Sequence, residues 1–432
     1  MAHFLMQNAK CKIKEYKPSP AEKGGTIHSL RELEWMRRIG RMSDKNSITR
    51  NVRLNLNENG GSKPPPYKIK KSFCILHFAL HLCSEVLMTY VFSPNNIPEV
   101  FSLHGVRRDL KRMPLDAAAA VSEAVLGLVK CPAGGRIRFK TDSSCVRIGA
   151  DFREGNVNSA SDVLCDGVFL GRVGPYGFEH EADCLDGEVE LPSDGKLHSI
   201  TVFLPRTVEL LEYRITLDDG AALEAAEPYN ITKPIVFYGS SITMGAISTS
   251  PSHAYTALVA ERLGVDHINL GFGGSAKGER AMAEYIAGLE MSAFVLDYEH
   301  NAPTLDHLRE THRPFFDIIR EAQPDLPILI VSRPDTDGDR IRVFRGRQII
   351  MDTFHHALDK GDLAVDFVDG SFLWGNDDRE ICHYPDDPHP TDEGFRRMAD
   401  VIAPRLRRIM ESAGVTGLRE PDGRDDGYLK RL

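Results

Sequence analysis

At 432 residues the chain is too long for one ordinary hydrophobic core, so two domains with extensions are expected. Its 42% hydrophobic and 27% charged residues make it globular overall, and a formal charge of −9 gives none of the basic bias a nucleic-acid partner requires. The eight cysteines (Cys11, Cys74, Cys83, Cys131, Cys145, Cys165, Cys184 and Cys382) form no CxxC pair and no zinc spacing.

Residues 1–99 are expected to be a poorly ordered extension. The first seventy are basic, rich in Asn, Lys and Pro, and broken by Asn59 Gly60 Gly61 and Pro64 Pro65 Pro66. An apolar run from Phe73 to Cys83 is interrupted by His77 and His81 and closed by Glu85, too short and too polar for a membrane span. The composition changes near Met88, which suggests a natural start there. No signal peptide is recognised, so a cytoplasmic protein with reduced thiols is expected. Disulfides among Cys131, Cys145, Cys165 and Cys184 are the alternative for a secreted one.

Residues 100–228 read with period two. Ile137, Phe139 and Thr141 alternate with Arg136, Arg138 and Lys140, and Ile200, Val202 and Leu204 follow the same rule. Asp166 Gly167 between two apolar runs is a two-residue hairpin signal, and the phase slip around Leu210 and Leu211 is that of a β-bulge. Short strands without helical stretches predict a β-sandwich or jelly roll.

After a linker over Ala221 to Lys233 the pattern changes. Strand candidates start at Ile235, His267, Ala293, Pro327 and Ala364, with helix candidates between them and a closing helix from Asp392 to Met410. This predicts an α/β domain over residues 233–412 with a parallel sheet and right-handed crossovers. A polar tail, residues 413–432, is expected to be mobile.

In such a sheet, ligands bind beyond the carboxyl ends of the strands. The first strand ends at Gly239 Ser240 Ser241, the second runs into Gly271 Phe272 Gly273 Gly274 Ser275, and the third into Asp297 Tyr298 Glu299 His300 Asn301. Asp386 Asp387 Pro388 His389 Pro390 precedes the last helix. These pieces supply acyl transfer: Ser241 as nucleophile, His389 as its base, and Asp386 orienting the imidazole. The N–H groups of Ser241 and Gly274 and the Asn301 amide are the expected oxyanion donors.

Simpler readings compete. Ser241 could be a helix N-cap, Gly274 could relieve a tight turn, and Asn301 could cap a helix. His383, Asp386, Asp387 and His389 could be metal ligands, although one short loop rarely closes a coordination shell. Gly271 to Gly278 imitates a dinucleotide loop without its acidic partner. His300 is as consistent with packing as with substrate contact, and Arg333 and Asp335 could line the site or pair at the surface. The lack of G-x-S-x-G around Ser241 argues against an α/β-hydrolase.

The four segments resemble, in order, the blocks of the SGNH hydrolases, or GDSL esterases. Gly239 Ser240 Ser241 Ile242 stands for G-D-S-L, Gly274 for the second block, Asn301 for the third and Asp386 to His389 for D-x-x-H. The resemblance implies a flavodoxin-like three-layer α/β/α fold and hydrolysis through an acyl-enzyme with no cofactor and no metal. The sequence departs from the pattern at Ser240, at Ile242 and at Glu299 His300 Asn301 Ala302. A subgroup carries a β-sandwich before the hydrolase domain; its G-x-D-L-Y and R-L-P segments correspond to Ala160 Ser161 Asp162 Val163 Leu164 and to Arg112 Met113 Pro114. The expectation is a serine esterase acting on a short acyl ester, such as acetyl, of a carbohydrate or similar polyol. An acyltransferase with the same residues and an inactive glycan-binding protein are the alternatives. The expected partner is the small-molecule or carbohydrate ester, with no nucleic acid and no membrane span.

Overall fold

The computed structural model describes residues 87–153, 160–175, 184–334, 339–374, 379–384, 387 and 389–421. The expectations for residues 1–86 and for the end of the tail lie outside them. Strand β11 (Ile235–Gly239) is buried along its whole length, as a central parallel strand of continuous apolar sequence should be. It lies between β12 (His267–Gly271) and β13 (Ala293–Asp297), and β14 (Ile328–Val331) and β15 (Val365–Val368) complete a five-stranded sheet of order β12-β11-β13-β14-β15. Every pairing is parallel. The strand order reverses between β11 and β13, which opens a crevice at their carboxyl ends.

Side chains of β11 alternate between two cores. Val236 and Tyr238 join Ile286, Phe315 and Ile350 from α5 (Arg280–Ala287), α6 (Leu305–Ala322) and α7 (Arg340–Asp359). Ile235 and Phe237 join Val259 and Ile402 from α4 (Tyr255–Leu263) and α9 (Asp392–Ser412) on the opposite face. The parallel sheet is therefore the middle of three layers, as expected.

Upstream lie two antiparallel sheets. One has the order β1-β9-β4-β7; the other runs β10-β3-β8-β5-β6, with β2 on β3. Their strands are β1 (Met88–Phe92), β2 (Ser102–His104), β3 (Arg136–Thr141), β4 (Cys145–Arg153), β5 (Ser161–Cys165), β6 (Val168–Val173), β7 (Cys184–Glu190), β8 (His198–Phe203), β9 (Glu209–Leu217) and β10 (Leu223–Ala225). Both sheets feed one core that includes Phe92, Ile137, Phe139, Ile148, Val163, Val202 and Tyr213. Asp166 and Gly167 both have positive φ, 50° and 82°, as a type I′ hairpin requires. Against β4 the register shifts so that Leu211 has no opposite residue, which is the bulge its phase slip predicted.

Two expectations change here. Strand β1 precedes the predicted boundary at residue 100 and pairs with β9 from Met88 opposite Leu217. The segment between β2 and β3 is helical, forming α1 (Leu115–Val121) and α2 (Glu123–Leu128). Four consecutive alanines favour that state, and Ala118 and Val125 are buried in the core of the parallel-sheet layer rather than between the antiparallel sheets. Cys131, Cys145 and Cys165 are free thiols. No helix among the described residues is long and apolar enough to cross a membrane.

Candidate active site

At the carboxyl end of β11 the chain turns into the one-turn helix α3 (Ser241–Met244). The cap is Ser240, not Ser241: the Ser240 Oγ accepts from the Ile242 N–H at 3.2 Å, which leaves the Ser241 hydroxyl for other work. Gly239 permits the turn, because a Cβ there would stand 2.1 Å from both the Asp297 carbonyl oxygen and the Thr243 Oγ1.

Ser241 Oγ and His389 Nε2 are 2.6 Å apart, although 148 positions separate them in the chain. The other ring nitrogen, Nδ1, makes a short contact with the Asp387 carboxylate, whose Oδ1 also accepts the His389 backbone N–H at 2.9 Å. Burial acts to raise the Asp387 carboxyl, but hydrogen bonds from the His389 N–H and imidazole, with the charge of that ring, hold it below its ordinary range. Asp386, the residue expected from the sequence, lies outside the described residues; the carboxylate seen on Nδ1 is its neighbour Asp387.

The loop after β12 passes directly beside Ser241. A Cβ on Gly273 would come within 3.3 Å of the Ser241 Cβ, so backbone forms that wall of the site. Gly274 has φ +69° with open space around it, so its requirement for glycine is conformational. Asn301, at the end of a short 3-10 turn after β13, donates one amide hydrogen to the Phe272 carbonyl oxygen at 2.9 Å. Its second amide hydrogen has no partner among the described residues.

Around this centre, His300 is half-buried, and its Nε2 is buried with no hydrogen-bond partner among the described residues. Burial, then the charges of Arg333 and His389, push its pKa well down, so it stands neutral near the base. The Arg333 backbone N–H donates to Glu299 at 2.8 Å, and burial raises the Glu299 carboxyl to about 7 against the pull of that bond and of Arg333, Arg347 and Arg342. Asp335 lies outside the described residues. His383, one of the candidate metal ligands, turns its Nδ1 to the Tyr384 carbonyl at 2.8 Å.

Several supports were not assigned from the sequence. Asp297, at the end of β13, accepts from Thr243 on α3 at 3.0 Å and from Tyr255 on α4 at 2.8 Å. Asn269 donates to the Thr243 carbonyl at 2.8 Å. Arg112, at the R-L-P position, bonds to the Gly271 and Leu128 carbonyls, and its guanidinium stands 4.3 Å from the Phe272 ring centre. Burial lowers its pKa to about 10.

With this geometry in place, the comparisons can be set beside it. Residues 232–407 match the GDSL-like lipase/acylhydrolase family. That stretch is a hydrolase domain of the GDSL-like, or SGNH, type. The matched stretch contains Ser241, Gly274, Asn301, Asp387 and His389, and it makes the protein a carboxylic ester hydrolase. Among solved structures, a GDSL-like lipase from Bacteroides ovatus is similar at 22% identity and TM-score 0.64, over 75% of this chain and 98% of that one. The salicylyl-acyltransferase SsfX3 from a tetracycline biosynthetic pathway is similar at 23% identity and TM-score 0.60, over 77% of this chain and 99% of its own. At these identities the likeness shows the fold. No curated protein sequence matches.

Proposed function

We propose that this SGNH hydrolase is a serine esterase that cleaves a short acyl ester of a carbohydrate or similar polyol through an acyl-enzyme on Ser241. The observation that carries the reading is the 2.6 Å contact between Ser241 Oγ and His389 Nε2. An alcohol is a weak nucleophile, and an imidazole at this distance can take its proton as Oγ attacks the ester carbonyl. The Asp387 carboxylate then stabilises the imidazolium and fixes the tautomer with the free electron pair on Nε2. The tetrahedral oxyanion is met by the N–H groups of Ser241 and Gly274 and by the second amide hydrogen of Asn301. His389 returns the proton to the leaving alcohol, and water repeats the sequence on the acyl-enzyme.

The two upstream sheets, with their common core, we read as a jelly-roll-like sandwich attached to the hydrolase domain. A fluorophosphonate probe tests the enzyme reading: it is expected to label Ser241 in the folded protein, and absence of labelling would overturn it. Turnover of acyl esters of increasing chain length, on simple alcohols and on sugars, tests the substrate. Acetyl esters of sugars are expected to be best. Acyl transfer to an added alcohol at the expense of free acid would instead assign the protein as a transferase.

A further inference from the structure

Helix α3 is one turn long, too short to hold its own orientation, because a single turn does not offset the cost of nucleating a helix. The loop that follows it, residues 245–254, has little regular structure, yet Ser248, Ser250 and Ser252 are all buried in it. The antiparallel-sheet region supplies what holds it. Asp162 on β5, fully buried, accepts from Ser250 Oγ at 3.0 Å, from the Ser252 N–H at 2.8 Å and from Ser252 Oγ at 2.6 Å. Arg172 on β6 donates to the Thr249 carbonyl and, at 3.2 Å, to Ser250 Oγ. Arg206, between β8 and β9 and also buried, donates to the Ser248 carbonyl; burial lowers its pKa to about 10 against the pull of the charges of Asp162 and Asp392.

Asp392 closes the chain of contacts. It is the first residue of α9, three positions after His389, and it accepts from the Thr249 N–H at 2.8 Å, from Thr249 Oγ1 and from His253 Nδ1 at 2.9 Å. The same short loop is thus fixed from one side by β5, β6 and Arg206 and from the other by the helix that begins beside the base. Ser241 lies on the helix just before this loop, and His389 lies three positions before the helix whose first residue binds it.

Resting on the assignment of Ser241 and His389 above, we propose that Asp162 is a positioning residue for the reaction. Together with Arg206 it holds the loop after α3, and through that loop the distance between nucleophile and base. In this reading the upstream sheets act on the reaction through Asp162 and Arg206 alone, and their shared core takes no part in it. Misplacing reacting groups by about 1 Å costs on the order of a hundredfold in rate, so a loosened loop acts on kcat rather than on KM.

The test uses the full chain and three variants. Asp162→Asn is expected to lower kcat by about tenfold to a hundredfold with KM within about twofold of wild type. Ser252→Ala keeps the buried charge and removes one hydroxyl donor; it is expected to fold normally and lose a smaller factor, about threefold to tenfold, again in kcat. Ile148→Val, in the core shared by the two upstream sheets, is the control: it is expected to lower the melting temperature and leave kcat unchanged. Amide hydrogen exchange over residues 242–253 is followed in parallel, with faster exchange expected in Asp162→Asn and Ser252→Ala and not in Ile148→Val. Wild-type kcat in folded Ser252→Ala and Asp162→Asn, or a kcat that falls with melting temperature equally in the control, overturns the proposal. If exchange responds as expected while wild-type protein takes no fluorophosphonate, the loop-holding role stands and the esterase reading fails.

Discussion

In the proposed mechanism, turnover depends most directly on Ser241 and His389. Ser241→Ala and His389→Ala are each expected to lower kcat by on the order of 10⁴-fold or more, because removing either member of such a unit costs nearly as much as removing both; steady-state kinetics on an activated ester measures it. Asn301→Ala is expected to cost on the order of a hundredfold with little change in KM, the pattern of a donor used only in the transition state. The carboxylate is a sharper question. The D-x-x-H spacing points to Asp386, whereas Asp387 is the residue in contact with Nδ1. Both belong to one short loop, where spacing alone cannot tell which of two adjacent aspartates turns inward. Asp387→Asn is expected to lower kcat by about 10² to 10⁴ and Asp386→Asn by far less; the reverse order would give the role to the residue of the motif.

At the scale of elements, the strands and helices of the hydrolase domain were legible because each apolar run of β11 to β15 is bounded by glycine or polar turns and separated by helical periodicity. The strand end before Ser241 was legible for the same reason: a buried run that stops at Gly239. Helices α1 and α2 were not, because a short alanine-rich stretch between strand-like segments shows no period, and the face it buries belongs to a partner layer far along the chain. Also hidden was the anchoring of α3 by Asp297, since nothing in the sequence links a strand-end carboxylate to Thr243 and Tyr255. Burial raises the Asp297 carboxyl to about 7, against the hydrogen bonds from Tyr255 and Thr243 that lower it. An unfolded aspartate titrates near 4, so the folded chain binds the extra proton between about pH 4 and 7. Stability from this group is therefore full below that window and lost as pH rises through it. Asp297→Asn stays neutral throughout, so urea melts should show its stability relative to wild type increasing from pH 5 to pH 7 and levelling off above. Glu299 titrates in the same range but is common to both proteins. A difference that stayed flat with pH would show that Asp297 is ionised in the fold.

For the whole molecule, the sheets upstream and the parallel sheet are joined by buried polar contacts as well as by Ala118 and Val125. The motif residues Arg112 and Asp162 could be picked out in the sequence, but only by resemblance; their partners at Gly271 and Ser252 appear only in three dimensions. A third join is Asp266, just before β12, which meets Arg136 on β3 and, at 2.7 Å, His104 on β2. Burial acts to raise the Asp266 carboxyl, but the charge of Arg136 and the hydrogen bond to His104 hold it far below the ordinary range. The sign is opposite to that of Asp297. A depressed carboxyl contributes stability that is fully present above about pH 4 and is lost as pH falls below it. Removing one partner of a buried pair costs on the order of 3–5 kcal/mol because the other charge stays behind, here the guanidinium of Arg136. Asp266→Asn is accordingly expected to lower the melting temperature clearly at pH 7, while the gap to wild type narrows steadily as calorimetry is repeated towards pH 3. If the two regions rely on these joins for a common stability, wild type melts in one calorimetric transition and Asp266→Asn begins to separate it into two. A wild-type profile with two independent transitions would mean that each region carries its own stability, and that the ion pair of buried Arg136 with half-buried Asp266 orients one on the other without binding their unfolding together.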